Sequence, residues 1–251
     1  RLSAFGVFAL ANVSSTYRNL NRAVGRAIHA YDMISDGDKI LVGLSGGKDS
    51  MVLTWILAER RLRVPVAYEL YPVYIDPGFA GGIGEPLAAF ARRCGTGLRV
   101  EQTDFGIRAH GPENRENPCF LCSRRRRQRL FEIADELGCG KIALGHHQDD
   151  IIETLFLNMF YAGEMSTMKP VQPFFQGRFT VIRPLAFAGE QLIGRTARAL
   201  DFPSFENPCP SAANSKRREV KEMLRGLYRN NRKIRGNIFR AMRHIRPEYL
   251  L

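Results

Sequence analysis

The stretch Lys39-Ile-Leu-Val-Gly-Leu-Ser-Gly-Gly-Lys-Asp-Ser50 decides the fold of this chain. Its apolar run, Ile40–Leu44, predicts a buried strand, and Ser45-Gly46-Gly47 predicts a tight turn that lets the backbone approach a ligand closely. Lys48-Asp49-Ser50 then opens an apolar helix. We call Ser45–Ser50 the glycine turn. Because free amides and the helix dipole point at a ligand there, the turn is predicted to bind an anion.

The rest of the chain alternates between predicted strands and helices, which indicates an α/β fold. Four further strands are predicted, namely Val66–Ile75, Leu98–Gln102, Lys141–Leu144 and Phe179–Ile182. This alternation predicts a parallel five-stranded sheet in the order 3-2-1-4-5, with helices on both faces. A helix is expected to begin at its N-cap Ser123, and residues Gly163–Gln176 are expected to be loop.

Three segments are predicted along the chain. Residues 1–38 form an N-terminal helical segment, and residues 39–200 form the α/β domain. Residues 201–251 hold a cysteine-bearing loop and a basic helical C-terminal tail. The 251 residues contain no apolar run near the ~18 that a membrane span requires, and no signal peptide is visible, so a cytoplasmic protein without a membrane partner is expected.

The motif Gly145-His146-His147-Gln148-Asp149-Asp150 follows the fourth predicted strand. In the predicted order the sheet reverses between strands one and four, so this motif and the glycine turn should flank one ligand crevice. Gly145 and His146 are therefore predicted to contact the bound ligand, and Lys48, Asp49 and Asp150 to take part in catalysis. Magnesium is assigned to Asp49, with Asp150 second; for Asp149, helix capping is the competing interpretation.

Positive charge is concentrated at the C-terminal end of the chain. The formal net charge is +12, and residues 211–251 contain twelve Lys or Arg against three Glu. A solvated helical face is the ordinary explanation of such a run. Together with a phosphate-binding turn, however, the basic tail favours a nucleic-acid partner.

The five cysteines form an odd number, which argues against a disulfide framework. Cys119-Phe-Leu-Cys122 is a CxxC pair that permits zinc, redox or iron–sulfur chemistry. Cys209, between two prolines, is the candidate for a third thiolate, whereas Cys94 and Cys139 are interpreted as structural. Three thiolates suit a [4Fe–4S] cluster with one open iron. Zinc with a histidine, or a persulfide relay, stays open at this point.

Taken together, these motifs resemble a known family. The letters SGGKDS are similar to the PP-loop of ATP pyrophosphatases. Combined with PCFLCSRRRR, LGHHQDDIIETLFLNMFYAGE, VIRPLA and the late Cys209 followed by SKR, they resemble the tRNA 2-thiocytidine synthetase (TtcA) family. The resemblance implies a Rossmann-like fold of the HUP type. It also implies that ATP binds to the glycine turn (Ser45, Gly46, Gly47, Lys48, Asp49 and Ser50) with Mg²⁺, and that Cys119, Cys122 and Cys209 hold a [4Fe–4S] cluster.

The activity implied by the resemblance is sulfur insertion into tRNA. Members of the family adenylate the C2 oxygen of cytidine 32 in the anticodon loop and replace that oxygen with sulfur. A sulfur donor such as a cysteine desulfurase and a homodimeric state are expected with it. The predicted RNA contacts are basic side chains: Arg124, Arg125, Arg126, Arg127, Lys216, Arg217 and Arg218. Uridine 2-thiolation, lysidine-type ligation and a non-catalytic iron–sulfur RNA sensor are the alternatives.

Overall fold

The computed structural model describes residues 15–206, 208–213 and 216–249, without the side chains of residues 212 and 213. Its internal contacts divide them into two compact units. The first contains the described residues within Arg1–His147 and Pro170–Ala212, and the second those within Gln148–Lys169 and Ala213–Leu251. The three segments predicted from sequence do not follow these units, because the second unit joins an internal stretch to the C-terminal helices. Part of the predicted N-terminal segment, residues 1–14, lies outside the described residues.

The first unit is built on one mixed sheet. Its strands are β1 (Asp38–Gly43), β2 (Tyr68–Asp76), β3 (Arg99–Gln102), β4 (Lys141–Ala143), β5 (Val171–Phe174) and β6 (Phe179–Ile182). They lie in the order β3-β2-β1-β4-β6-β5, and every pairing is parallel except that of β5 with β6. The predicted α/β class and the central order are confirmed.

The predicted count of five strands is wrong, because β5 adds an antiparallel edge strand. It lies in the stretch that was predicted to be loop, and it has only four residues, one of them Pro173. A short segment with a proline has almost no strand signal, yet proline is tolerated at a sheet edge. The strand predicted fifth is β6, and it lies beside β4 as expected.

The described residues contain nine α-helices. They are α1 (Ser15–Ala30), α2 (Lys48–Arg60), α3 (Gly84–Arg93), α4 (Phe105–Ala109), α5 (Pro118–Glu136), α6 (Gln148–Leu157), α7 (Glu190–Ala199), α8 (Lys216–Asn230) and α9 (Lys233–Ala241). Alternate residues of β1 face opposite sides, so Ile40 and Val42 pack with α1, α2, α3 and α7 while Leu41 packs with α5. Helices therefore cover both faces of the sheet, as predicted.

Helix α5 begins earlier than the sequence predicted. The N-cap is Asn117, whose side chain accepts hydrogen bonds from the amides of Cys119 at 3.0 Å and Phe120 at 3.3 Å. Pro118 occupies the first helical position, which needs no amide donor. The expected N-cap at Ser123 is wrong, since its hydroxyl donates to the carbonyl of Phe120 within the helix. The CxxC pair consequently lies on the first turns of a helix.

The second unit packs α8 and α9 on α6 and includes a π-helical turn, Asn158–Ala162. Its apolar centre consists of Ile152, Val220 and Leu224. Ion pairs surround this small core: Arg235 Nε lies 3.0 Å from Asp149 Oδ1, and Arg217 Nη1 lies 3.3 Å from Asp150 Oδ1. Nowhere in the described ranges does a helix have the length and hydropathy to span a bilayer.

Removing the cation that pairs with the buried Asp149 should weaken the second unit. Asp149 is only 6% exposed, so Arg235→Ala leaves a buried carboxylate without that cation and should lower the free energy of unfolding by about 3 kcal/mol. The matched control is Arg218→Ala, because Arg218 pairs with Glu222 at an exposed position and should matter by less than about 1 kcal/mol. Urea unfolding of the full chain measures both; equal losses would contradict the buried role of the Asp149 pair.

Candidate active site

The glycine turn is held in one conformation by its own hydrogen bonds. The Ser50 hydroxyl donates to the Gly47 carbonyl at 2.8 Å and accepts from the Ser45 amide at 3.1 Å. Gly46 has φ +82°, and a Cβ there would lie 2.4 Å from the side chain of Ile83. The positive φ favours glycine at this position, and any side chain there would also require Ile83 to move. Since α2 begins at Lys48, the amides of its first turn have no partner within the helix and can bind an anion.

Gly145, at the end of β4, lies directly against the glycine turn. A Cβ on Gly145 would lie 3.0 Å from the Ser50 amide nitrogen and 3.1 Å from the Asp49 carbonyl carbon. These are backbone atoms, which cannot rotate away as a flexible side chain can. The absence of a side chain at Gly145 therefore leaves room for the start of α2, and its contact with a bound ligand stays a prediction.

Gly145→Ala should displace the start of α2. We expect it to lower the free energy of unfolding by about 1–3 kcal/mol and to weaken ATP binding, because the clash is with backbone. Gly140→Ala is the matched control, since a Cβ there meets nothing within 4 Å. Thermal unfolding and ATP titration of both variants test this expectation. If Gly145→Ala binds ATP as well as Gly140→Ala does, the start of α2 tolerates a side chain at Gly145.

Lys48 projects from the glycine turn between two carboxylates. Its Nζ lies 3.3 Å from Asp49 Oδ2 and 3.3 Å from Glu190 Oε1, at the start of α7. Burial acts to lower the pKa of Lys48, but the two carboxylates outweigh burial, and the pKa is raised from its ordinary value. The ammonium group is therefore charged at neutral pH and available to a phosphate.

Asp49 has a second neighbour in the motif that follows β4. Its Oδ1 lies 3.7 Å from Nε2 of His147, whose ring is only 3% exposed. His147 thus packs against the start of α2, while His146 is half-buried beside it. Sequence reasoning favoured His146 for the ligand. The structure places both histidines at the carboxyl end of β4, in the first unit.

A cavity of about 240 Å³ opens beside the glycine turn in the first unit. Ser45, Gly46 and Gly47 line one wall, and Arg126 of α5 reaches it from another element. The remaining lining residues come from the end of β2, the connection to α3 and the loop after α7: Tyr74, Asp76, Pro77, Phe79, Gly81, Gly82, Ile83, Phe205, Glu206 and Pro208. The cavity therefore lies at the carboxyl ends of β1 and β2, next to the reversal of strand order.

The three candidate thiolates all belong to the first unit. Cys119 is exposed, and Cys122 and Cys209 are half-buried. Burial raises the pKa of Cys122, Arg126 opposes that rise, and Cys209 and Cys119 add to it. Cys122 is therefore within electrostatic range of both other thiols, because the loop after α7 returns to α5. Among the described residues, no three His, Cys, Asp or Glu side chains are arranged to hold a single metal ion.

The other two cysteines have the environment of core residues. Cys94 and Cys139 are both buried, and burial raises the pKa of Cys94 to about 12 and that of Cys139 to about 11. Thiols of such high pKa are protonated at neutral pH and poorly reactive.

The predicted RNA-binding arginines of α5 differ in their surroundings. Arg124 pairs with Glu116 at 2.9 Å, and Arg125 and Arg127 are exposed. Arg126 is half-buried and lines the cavity. Three of the four therefore lie where a large partner can reach them, whereas Arg126 lines the cavity.

The remaining predicted site residues lie in the second unit and are engaged in ion pairs. Lys216 lies 3.1 Å from Glu219, and Arg218 lies 3.0 Å from Glu222. Arg217 pairs with Asp150, the third predicted catalytic residue. These roles in RNA binding and catalysis stay predictions.

Sequence reasoning missed three residues of the site. Asp76 is buried at the end of β2 and lines the cavity, and its position after an apolar strand was the available signal. Glu190, at the start of α7, reaches Lys48 of the neighbouring helix α2, a contact that no spacing in the sequence indicates. His110 lies 4.0 Å from the sulfur of Cys209, in the loop after α7, and no recognisable sequence motif surrounds it.

Comparison with known proteins agrees with this geometry. The PP-loop domain family matches residues 16–226. The tRNA-cytidine(32) 2-sulfurtransferase of Geobacter sulfurreducens is 40% identical over 94% of this chain and 93% of its own. The chain belongs to the tRNA-cytidine(32) 2-sulfurtransferase family. The relative from Polynucleobacter asymbioticus in this PP-loop family is 42% identical over 93% of this chain and 78% of its own.

A solved structure shares the fold of this sulfurtransferase-family chain. The U34-tRNA thiolase NcsA from Methanococcus maripaludis, solved with its [4Fe–4S] cluster, superposes with a TM-score of 0.76. The alignment covers 94% of this chain and 80% of the thiolase at 24% identity, a level that supports a common fold.

Proposed function

We propose that this chain is an ATP-dependent tRNA sulfurtransferase that adenylates the C2 oxygen of cytidine 32 and replaces it with sulfur. The observation that supports this most directly is the composition of one cavity. Its walls join the glycine turn to Arg126 of the CxxC helix and to Pro208, the neighbour of Cys209. An activating site for ATP and a site for sulfur chemistry would therefore share one space.

In the proposed activation step, the chain's own residues bind and orient the triphosphate. The amides of the glycine turn and the ammonium group of Lys48 face the phosphates, and the C2 oxygen of cytidine attacks the α-phosphate as pyrophosphate leaves. Negative charge develops on the phosphate oxygens, and prearranged donors stabilise such charge most effectively inside a cavity. Arg126, which lines the same cavity, would add positive charge beside those phosphate oxygens.

Magnesium is assigned to Asp49 within this proposal. In ATP sites the ion is commonly held by one or two carboxylates together with phosphate oxygens. Asp49 lies at the start of α2, where its carboxylate already neutralises Lys48. When a triphosphate draws Lys48 away, the carboxylate becomes available to a cation. Asp150 is retained as a second catalytic candidate.

The cysteines have the donor chemistry that an iron–sulfur cluster requires. Cys119, Cys122 and Cys209 are outside any disulfide, Cys122 is within electrostatic range of the other two, and a four-iron cluster takes thiolate ligands on separate irons. When bound by three thiolates, such a cluster supplies one iron that is open to sulfide. Burial raises the pKa of Cys122, and Arg126 opposes that rise, so Arg126 acts towards the thiolate form that binds iron.

The macromolecular partner in this proposal is tRNA, whose backbone the exposed Arg125 and Arg127 would contact beside the thiols. Arg124, Lys216, Arg217 and Arg218 would join them by exchanging carboxylate partners for phosphate. A sulfur donor of the cysteine desulfurase type, a homodimeric state and a cytoplasmic location complete the proposal and rest on family resemblance.

The test is anaerobic purification of the full chain, followed by iron and sulfide quantitation and by assays with ATP and tRNA. We expect pyrophosphate release that depends on tRNA, and 2-thiocytidine on nucleoside analysis of the product. Thiouridine in place of thiocytidine would assign the chain to uridine 2-thiolation. A product without sulfur would support the lysidine-type reaction, and ATP binding without turnover would support the sensor.

A further inference from the structure

We propose that His110 is a positioning residue that anchors the Cys209 loop, defined as residues 201–213, beside the CxxC helix. The expected effect on cluster retention rests on the proposed function, in which three thiolates hold an iron–sulfur cluster. The contact itself is a property of the protein alone and can be tested without a cluster.

The hydrogen bonds of His110 define which ring nitrogen accepts. Nδ1 lies 2.9 Å from the carbonyl oxygen of Gly106, and a carbonyl only accepts, so Nδ1 holds the proton of the neutral ring. Nε2 is then the acceptor. It lies 2.7 Å from the Ser211 hydroxyl and 4.0 Å from the Cys209 sulfur. Ser211 and Cys209, both in the Cys209 loop, therefore contact the same nitrogen of the His110 ring.

The ring of His110 is held in place by close packing of the residues around it. Gly106 donates its amide to the carbonyl of Pro77 at 2.8 Å, which ties α4 to the end of β2. A Cβ on Gly106 would lie 2.6 Å from the ring of Phe79, and Phe79 packs edge-on against His110 with centroids 5.8 Å apart. His110 is thus held by the sheet edge, whereas the described residues of the Cys209 loop contain no strand or α-helix.

Anchoring matters because the third thiolate comes from a distant part of the chain. Cys119 and Cys122 share one helix, so their spacing is set locally. Ordering the loop that brings Cys209 to them costs conformational entropy, and a contact that pre-positions Cys209 reduces that entropic penalty. Residues that orient metal ligands in this way typically change metal affinity by about 10- to 100-fold when removed.

The experiment compares His110→Ala, His110→Gln and His110→Asn with the wild type, using His29→Ala as the control. His29 is exposed in the last turn of α1, away from the site. The first readout uses metal-free full-length chain: the alkylation rate of Cys209 relative to Cys119, measured by mass spectrometry of the peptides. Without the ring, alkylation of Cys209 should rise about two- to tenfold, the range expected for the loss of one or two hydrogen bonds.

The second readout is the rate at which reconstituted chain loses iron to EDTA, expected to be about 10- to 100-fold faster in His110→Ala. Gln reaches the position of Nε2 and should restore both readouts, whereas the shorter Asn replaces only the bond to Gly106 and should not. Unchanged alkylation in His110→Ala, or restoration by Asn as complete as by Gln, overturns the inference. A wild type that takes up no iron overturns the proposed function instead, and the alkylation readout still decides the role of His110.

Discussion

Cys209→Ser is expected to abolish formation of 2-thiocytidine while leaving ATP binding unchanged. Cys209 lies in a loop whose neighbouring Pro208 lines the cavity, and its thiol interacts electrostatically with Cys122. A serine hydroxyl is not ionised at neutral pH and does not replace a thiolate on iron. The glycine turn does not depend on the sulfur atom, so the ATP half of the site should survive.

The matched control is Cys139→Ala, which removes a thiol from the core rather than from the site. Burial raises the pKa of Cys139 to about 11, so it contributes no thiolate at neutral pH. We expect the control to keep iron, sulfide and activity, with a modest loss of stability. Iron quantitation and nucleoside analysis measure both variants. If Cys209→Ser still makes thiocytidine, Cys209 is not a ligand, and a two-cysteine persulfide relay becomes the better explanation.

Lys48→Ala is expected to slow the ATP-dependent activation step strongly. It removes the only side-chain cation of the glycine turn, so tRNA-dependent pyrophosphate release should fall by about 10²–10³-fold, as for removal of a transition-state donor. The cysteines are untouched, and iron content should equal that of the wild type. Pyrophosphate release and iron content, measured on the same preparation, separate the two halves of the site.

Glu190→Gln is the companion variant, because it releases Lys48 from one of its two carboxylates without removing the cation. The pKa of Lys48 should move back towards its ordinary value, and the side chain should lose one of the contacts that orient it. A decrease much smaller than that of Lys48→Ala is expected. Equal losses in the two variants would mean that Glu190 acts on ATP directly, which contradicts the role of Lys48 as the principal cation.

Much of this protein follows from its sequence alone. The run from Lys39 to Ser50 predicts strand, turn and helix because apolar spacing, two glycines and a helix start are local properties. Alternation of such units predicts the covered parallel sheet, and chain order places both motifs at one edge. The CxxC pair is equally local. The family resemblance derives from these same segments.

Only the tertiary structure decided how distant segments meet. The return of the Cys209 loop to α5, the contact of Glu190 with Lys48 and the selection of Arg126 for the cavity depend on packing between elements far apart in the chain. The edge strand β5 depends on pairing with β6, whereas the early start of α5 follows from a local signal, Asn117 and Pro118, that sequence reasoning passed over. Local sequence pattern determines which helices and strands form. Side-chain contacts across the fold determine which residues share a site, and they cannot be predicted from the sequence because they leave no periodic pattern in it.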